Sequence, residues 1–322
     1  MKRVLPALAV TAFMCLIAAD PAYFSASAAR GLALFAASVL PSVFPFFFCS
    51  TLLTAIGAAR ALSRLGAKPV RVLFDAPPEG AYALTLSWLS GYPVGAATTA
   101  DLYACGAVDA RGAAKLATVA STSGPAFLIG AVGGAMLDSP GAGALLLAAH
   151  YASSVLTGVL LRKLGDRPRK CRASRAAVCA LDTDTALADS IRSSVLGMLT
   201  VGGYVVIGGM LADALSLTGI ERAVSALIPG DAANALLGVI YGGIEMTRGC
   251  VTAAECASFP LAAASIAFTA AFGGLSVLLQ SHSFLSRCGI SFRSLFARKL
   301  LQGVVAAGIT FALALVFNNY LT

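Results

Sequence analysis

Apolar residues in this chain run in long blocks and do not alternate with polar ones. The stretches 4–19, 31–59, 80–100, 116–137, 139–161, 193–212, 256–286 and 300–322 carry no charged side chain. Most of them reach the ~20 residues that a helix needs to cross a hydrocarbon core. Unbroken apolar runs of this length predict membrane-spanning helices, because an amphipathic surface helix would show a polar residue at every turn.

Turn-forming strings cut several of these runs near their middles. Ser90-Gly91-Tyr92-Pro93 interrupts 80–100 and predicts a re-entrant hairpin, since proline and glycine together favour a turn. Ser121-Thr122-Ser123-Gly124-Pro125 interrupts 116–137 and predicts a discontinuous helix. Such a break frees backbone groups that lipid cannot satisfy, so it belongs beside a polar cavity. In the second half, Gly242-Gly243-Ile244-Glu245-Met246-Thr247-Arg248-Gly249 reads as another hairpin tip, and Phe272-Gly273-Gly274-Leu275-Ser276 as another helix break.

The expected architecture is an all-α polytopic membrane protein. It has an N-terminal anchor over 1–30, a first repeat over 31–163, a basic linker over 164–190 and a second, inverted repeat over 191–322. Each repeat orders a spanning segment, a hairpin tip and a broken helix, and the two enter from opposite faces. The first helix is expected to leave at Asp20-Pro21 and the second to start at Gly31, where Pro41 and Pro45 would kink or tilt it. Ser25-Ala26-Ser27-Ala28-Ala29 resembles a signal-peptidase site, but the preceding apolar run is short and Asp20-Pro21 is a natural helix exit, so the anchor reads as uncleaved.

Composition agrees with lipid as the solvent: 58% of residues are apolar, 12% are charged, and the mean hydropathy is +0.84. The net charge of +8 does not point to nucleic acid, because the basic residues sit in short connections and form no folded basic face. Positive-inside bias explains them. With a cytoplasmic N-terminus, only Arg30, Arg222 and Arg248 fall elsewhere, while Arg162, Lys163, Arg167, Arg169, Lys170, Arg172 and Arg175 mark the linker and Arg287, Arg293, Arg298 and Lys299 a later cytoplasmic segment.

Eight cysteines are scattered without CxxC spacing, which reads as free buried thiols and no metal site. There is no GxxxxGK[ST], HExxH or GxSxG string, so the chain is read as no enzyme and as using no cofactor. Movement of a solute would then draw on a gradient, with proton and sodium both open as the coupling ion.

Four interruptions ordered alike in two halves favour a binding cavity at mid-membrane. Its expected substrate-binding residues are Ser90, Gly91 and Tyr92; Ser121, Thr122, Ser123 and Gly124; Glu245, Thr247 and Arg248; and Gly274, Ser276 and Gln280. Glu245 and Arg248 lie at i and i+3 in the second tip, where intramembrane charge is costly and usually functional. They read either as a mutual ion pair fixing the hairpin or as a pair that also touches substrate, with the Arg248 guanidinium suited to a carboxylate. His282 and His150-Tyr151 read as structural.

The strings SGYPVGA at Ser90, STSGPAFLIGAVG at Ser121, His150-Tyr151, EMTRG at Glu245 and FGGLSV at Phe272 resemble the sporulation integral membrane protein family of the YlbJ type, over roughly 31–316. That resemblance implies nucleoside-recognition (Gate) domains related to concentrative nucleoside transporters, whose sites combine two re-entrant hairpins with two unwound helices. The first tip departs from those carriers, with Ser-Gly-Tyr-Pro where they use Gln, Thr and Glu. For the sporulation branch it implies a spore-related solute such as the dicarboxylate dipicolinic acid, and a bacterial inner or forespore membrane.

The functional expectation is therefore a secondary transporter of a small polar solute. A nucleoside-type transporter and a non-transporting scaffold in spore or envelope assembly stay open beside it. The expected partners are the solute and the lipid bilayer, with no nucleic acid and with a homo-oligomer left open.

Overall fold

The computed structural model describes residues 4–56, 59–104, 106–163 and 183–321, and every regular element among them is helical. Lys2, Arg3 and most of the expected linker lie outside the described residues. Four stretches, Pro140–Leu161, Thr185–Ser216, Phe259–Cys288 and Phe292–Phe317, are each long and apolar enough to cross a membrane.

The N-terminal region departs from expectation. Helix α1 (Val4–Ala19) is followed at once by α2 (Pro21–Leu34), bent 106° from it. The second helix thus starts at Pro21 and not at Gly31. Asp20 causes this, because its carboxylate accepts the Tyr23 N–H at 3.0 Å while Pro21 occupies the first helical position, where its missing N–H costs nothing. The small-residue string 25–29 is consequently an interior helical segment.

Helix α2 continues through a π-wound turn, Phe35–Val39, into α3 (Leu40–Ala55). Pro41 offers no N–H to the ladder, and just before it Leu40 reaches back to the Phe35 carbonyl. The basic stretch after α3, which separates two apolar runs in the sequence, is helix α4 (Ala59–Phe74). It turns Arg64, Lys68 and Arg71 outward and buries Val70 and Phe74, the division expected of a helix lying along a membrane surface.

One element order then occurs twice. A hairpin of α5 (Gly80–Ser90) and α6 (Val94–Ala104) precedes a broken helix of α7 (Ala110–Val119) and the π-wound half Ala126–Met136, and α8 (Pro140–Leu161) closes the set. In the second half, α9 (Thr183–Ser216) and the short amphipathic α10 (Ile220–Leu227) lead to a hairpin of α11 (Asp231–Ile244) and α12 (Met246–Ala254). A broken helix of α13 (Phe259–Phe272) and α14 (Gly274–Leu285) follows, and α15 (Phe292–Leu321) closes this set. Helix α9 already begins inside the expected linker.

The two sets run in opposite directions. The first broken helix starts where Pro77 packs on Gly112 at the base of the α5/α6 hairpin, and the turn that ends α14 packs against α6 and α7 at the same end. The second broken helix starts at the far end, where the Asp231 carboxylate at the base of the α11/α12 hairpin accepts N–H groups from Ala257 and Ser258 at 3.2 and 2.8 Å. The span across α13 and α14 is 72% buried against 28–39% for the other three, so a broken helix forms the centre and intact helices face the lipid.

Hairpin packing depends on absent side chains. A Cβ on Gly249 would sit 2.2 Å from the Gly242 Cα and 2.6 Å from the Gly238 carbonyl, both backbone atoms that cannot swing aside. Gly243 has nothing within 4 Å of such a Cβ. Gly249→Ala is expected to destabilise the purified protein by about 2 kcal/mol or more through overpacking. Gly243→Ala should be neutral or gain up to ~1 kcal/mol from helix propensity. Thermal melts of the two variants in detergent make the comparison.

Candidate functional site

Both tips touch both breaks. Helix α5 ends at Ser90, and Gly91 takes the left-handed φ of 79° that turns the chain toward α6. A side chain there would also meet the Gly124 N at 2.6 Å, so the first tip and first break are in backbone contact. In the second half, Gly274 has φ 67°, and a Cβ on it would lie 2.5 Å from the Gly242 carbonyl and 3.2 Å from the Met246 N. Each hairpin tip is seated in the break of its own repeat.

Hydroxyls then join the repeats. The Tyr92 hydroxyl donates to the Ala271 carbonyl at 3.2 Å, and that of Ser123 donates to the Ala270 carbonyl at 3.2 Å. Both acceptors lie in the last turn of α13, where carbonyls have no partner further along the helix. The first repeat thereby satisfies the backbone that the second break exposes.

The first break is satisfied differently. The Ser123 N–H donates to His150 Nε2 on α8 at 2.9 Å, and the Ser154 hydroxyl donates to the Val119 carbonyl at 3.1 Å. Lys299 Nζ on α15 donates to the Ser121 carbonyl at 2.6 Å. Thr122 turns away from the centre, where its N–H and the Ser87 hydroxyl meet at 3.2 Å and its own hydroxyl reaches the Ser87 carbonyl at 3.1 Å.

Between tips and breaks lies a cavity of about 60 Å³. At ~10–15 Å³ per water measured in the same way, it holds a few waters. Ser90, Gly91, Tyr92, Ser123, Gly124, Glu245, Thr247, Ser276 and Gln280, all anticipated from the sequence, line it. Val39, Val43, Phe127, Met246, Val277 and the α9 residues Val201, Tyr204 and Val205 complete the wall. The helical halves α6, Ala126–Met136, α12 and α14 all begin here, presenting the positive ends of their dipoles.

Glu245 is the single Asp, Glu, Lys or Arg in that wall and is 2% exposed. It caps α12, its carboxylate accepting the Arg248 N–H at 2.7 Å. Ser276 and Gln280 occupy one face of α14 at i and i+4. The Ser276 hydroxyl is buried without a partner, and no protein group bonds the Gln280 side-chain amide among the described residues.

Four anticipated residues do not line the cavity. Ser121 contributes its carbonyl to Lys299, Thr122 pairs with Ser87, and Gly274 serves the close approach of α14 to the second tip. Arg248 is the largest departure. Its guanidinium points to Asp213 at 3.4 Å and lies 5.8 Å from the Tyr241 ring centre. Glu245 meets only the backbone of Arg248, so neither the side-chain ion pair nor a cavity-facing fork forms.

Lys299 also departs from expectation. Read as the last of four cytoplasmic cations, it is 1% exposed and packed against the first break. It abuts the charge-free run 300–322, so it looked like a cap on that run when it is in fact part of the interior. His150, read as structural, directly holds the first break.

The remaining charges sort to two ends. At one, Lys115 meets the Asp75 carboxylate at 2.5 Å, Arg162 meets the Val72 carbonyl at 3.3 Å, and Arg298 bonds Thr118 at 2.7 Å. At the other, Asp213 binds Arg30 at 2.7 Å as well as Arg248, and Tyr241 bonds Glu221 at 2.6 Å.

These features define a polytopic helical membrane protein in which two opposed hairpins and two broken helices enclose a small cavity where a few polar groups stand in a largely apolar wall. The chain is similar to the sporulation integral membrane protein YlbJ of Bacillus subtilis (strain 168), with 29% identity over 302 residues that cover 86% of this chain and 74% of that protein. The resemblance to the YlbJ type carried by the tip and break motifs thus extends through most of the chain. No family model matches the chain, and no solved structure matches it.

Asp213 is the shared partner of two arginines and has a nearly buried side chain, at 9% exposure. Asp213→Asn is expected to lower stability by about 1–3 kcal/mol, since it removes the charged acceptor and leaves Arg248 without a counter-charge. In an Asp213→Asn background, Arg248→Gln should add less than about 0.5 kcal/mol. A double-mutant cycle on detergent-solubilised protein reads both values.

Proposed function

We propose that this chain is a membrane carrier for a small polar solute, which binds where the two hairpin tips meet the two helix breaks. The observation that carries the reading is the Ser276 hydroxyl, buried without a partner on α14, with the Gln280 amide on the same helix face and the buried Glu245 lining the same cavity. Polar groups enclosed in a lipid-embedded protein without partners are costly, and a hydrated solute completes them. The opposed order of the two repeats supplies the other requirement, a bundle able to open to either side in turn.

The wall chemistry narrows the solute class. Hydroxyls, one amide and one carboxylate, the last set against four helix N-termini, favour a molecule of little net charge that carries N–H or O–H donors. The rings of Tyr92, Phe127 and Tyr204 offer it flat apolar surface. A nucleoside-type solute suits this wall chemistry better than a dicarboxylate such as dipicolinic acid, which the sporulation resemblance implied and for which Arg248 was the expected partner. Either one requires the cavity to open beyond its 60 Å³. The name of the Bacillus relative, a sporulation integral membrane protein, supports a role in sporulating cells, and the proposed site of action is the bacterial inner or forespore membrane. Positive-inside bias supports a cytoplasmic location for the end bearing Lys115, Arg162 and Arg298, and the N-terminus is assigned to the same side as part of this proposal.

Uptake and efflux by proteoliposomes, run against a panel of nucleosides and small dicarboxylates, test this reading. Nucleoside flux is expected, falling ~10-fold or more in Glu245→Gln through loss of a charged hydrogen-bond partner. Arg248→Gln should retain flux per folded molecule. Dicarboxylate flux abolished by Arg248→Gln would restore the anion reading, and absence of flux for every solute would favour a scaffold in spore or envelope assembly.

A further inference from the structure

The ammonium that holds the first break has an unusual set of partners. Lys299 Nζ lies 2.6 Å from the Ser121 carbonyl, 2.6 Å from Gln302 Oε1 and 5.0 Å from the centre of the Tyr92 ring. Gln302 turns its oxygen to the ammonium and leaves its own Nε2 buried without a partner, which is how an amide behaves as a cation ligand. Among the described residues no carboxylate pairs with Lys299.

A buried cation without a counter-ion is expensive, so something in the surroundings must stabilise it. Helix α7 ends at Val119, and the negative end of its dipole falls on the carbonyls just beyond, next to Ser121. Neutral oxygens gathered at the C-terminal end of an interrupted helix are the ligand set that membrane proteins offer to small monovalent cations. Here a side chain of the same molecule already fills that place.

We infer that Lys299 is a tethered cation occupying an ion seat at the first helix break. This break then takes no exchangeable sodium ion, and deleting the ammonium opens a seat for a small monovalent cation. The inference deepens the carrier reading, because it states what occupies the position of a coupling ion at that break. Its test reads cation binding in the absence of solute, so it can fail while the carrier reading stands, and the reverse.

The experiment uses the full chain purified in detergent, at constant ionic strength, with choline chloride exchanged for sodium chloride or methylammonium chloride. The melting temperature of the unmodified protein is expected to change by less than about 1 °C, because its seat is filled. Lys299→Ala should melt lower in choline and regain about 3 °C or more, saturably, in sodium or methylammonium. Lys299→Ser carries the same comparison if the alanine variant does not fold.

A saturable sodium-dependent rise in the unmodified protein would overturn the inference. So would a variant whose lost stability no small cation restores, which would make Lys299 a packing residue. If neither variant folds, radioactive sodium binding by the unmodified protein decides the matter: about one ion per chain defeats the inference, and no binding upholds it.

Discussion

Everything in this structure depends on finding partners for backbone groups that a helix break exposes inside lipid. A helix that stops at mid-membrane leaves several N–H and carbonyl groups without intrahelical bonds, and hydrocarbon offers none in return. Each of the two breaks is answered by a different source. The carbonyls at the end of α13 receive hydroxyls from Tyr92 and Ser123 of the other repeat. The first break is answered by side chains of α8 and α15, through His150, Ser154 and Lys299.

Charge follows the same logic. Asp75, Lys115, Arg162 and Arg298 cluster at one end, and Arg30, Asp213, Glu221 and Arg248 at the other, where water or headgroups share the cost of solvation. Glu245 and Lys299 are the exceptions, each almost fully buried, and each sits at a helix end whose dipole offsets its charge. The carboxylate caps the N-terminus of α12, while the ammonium faces the C-terminal end of α7. Among the described residues, the two most deeply buried charges therefore mark the breaks.

The tips and breaks were legible in the sequence because glycine, proline and serine clusters in an apolar run have few uses besides turning the chain. Glycine at 91 and at 274 is required twice over, by a positive φ and by a neighbouring backbone within 2.6 Å of where a Cβ would lie. Side-chain direction was not legible. Sequence spacing places Glu245 and Arg248 on one helix face, but Glu245 is the cap of α12, so its carboxylate folds back on the backbone and the guanidinium extends to Asp213, 35 positions earlier in the chain. Lys299 was missed for a related reason: position at the edge of an apolar run does not reveal which face of α15 meets α7. The start of α2 was missed because the Asp20-Pro21 pair both ends one helix and caps the next.

The unequal answers to the two breaks bear on which part of the molecule moves. Contacts that cross between the repeats at the second break are two hydroxyl–carbonyl bonds, and water or a solute hydroxyl can replace either one with little change in free energy. Contacts at the first break include a buried ammonium, and separating that from its oxygens would expose an unpaired charge to apolar surroundings. The first hairpin, its break, α8 and α15 are thus bound as one body by costly interactions. The second hairpin and break meet that body through those two exchangeable bonds and through the apolar packing of α13 on α15 and α8, and Ser276 and Gln280 lie beside the exchangeable bonds. Any opening of the cavity at these bonds is expected to exchange the backbone carbonyls held by Tyr92 and Ser123 for water, while the apolar packing of α13 on α15 stays in place.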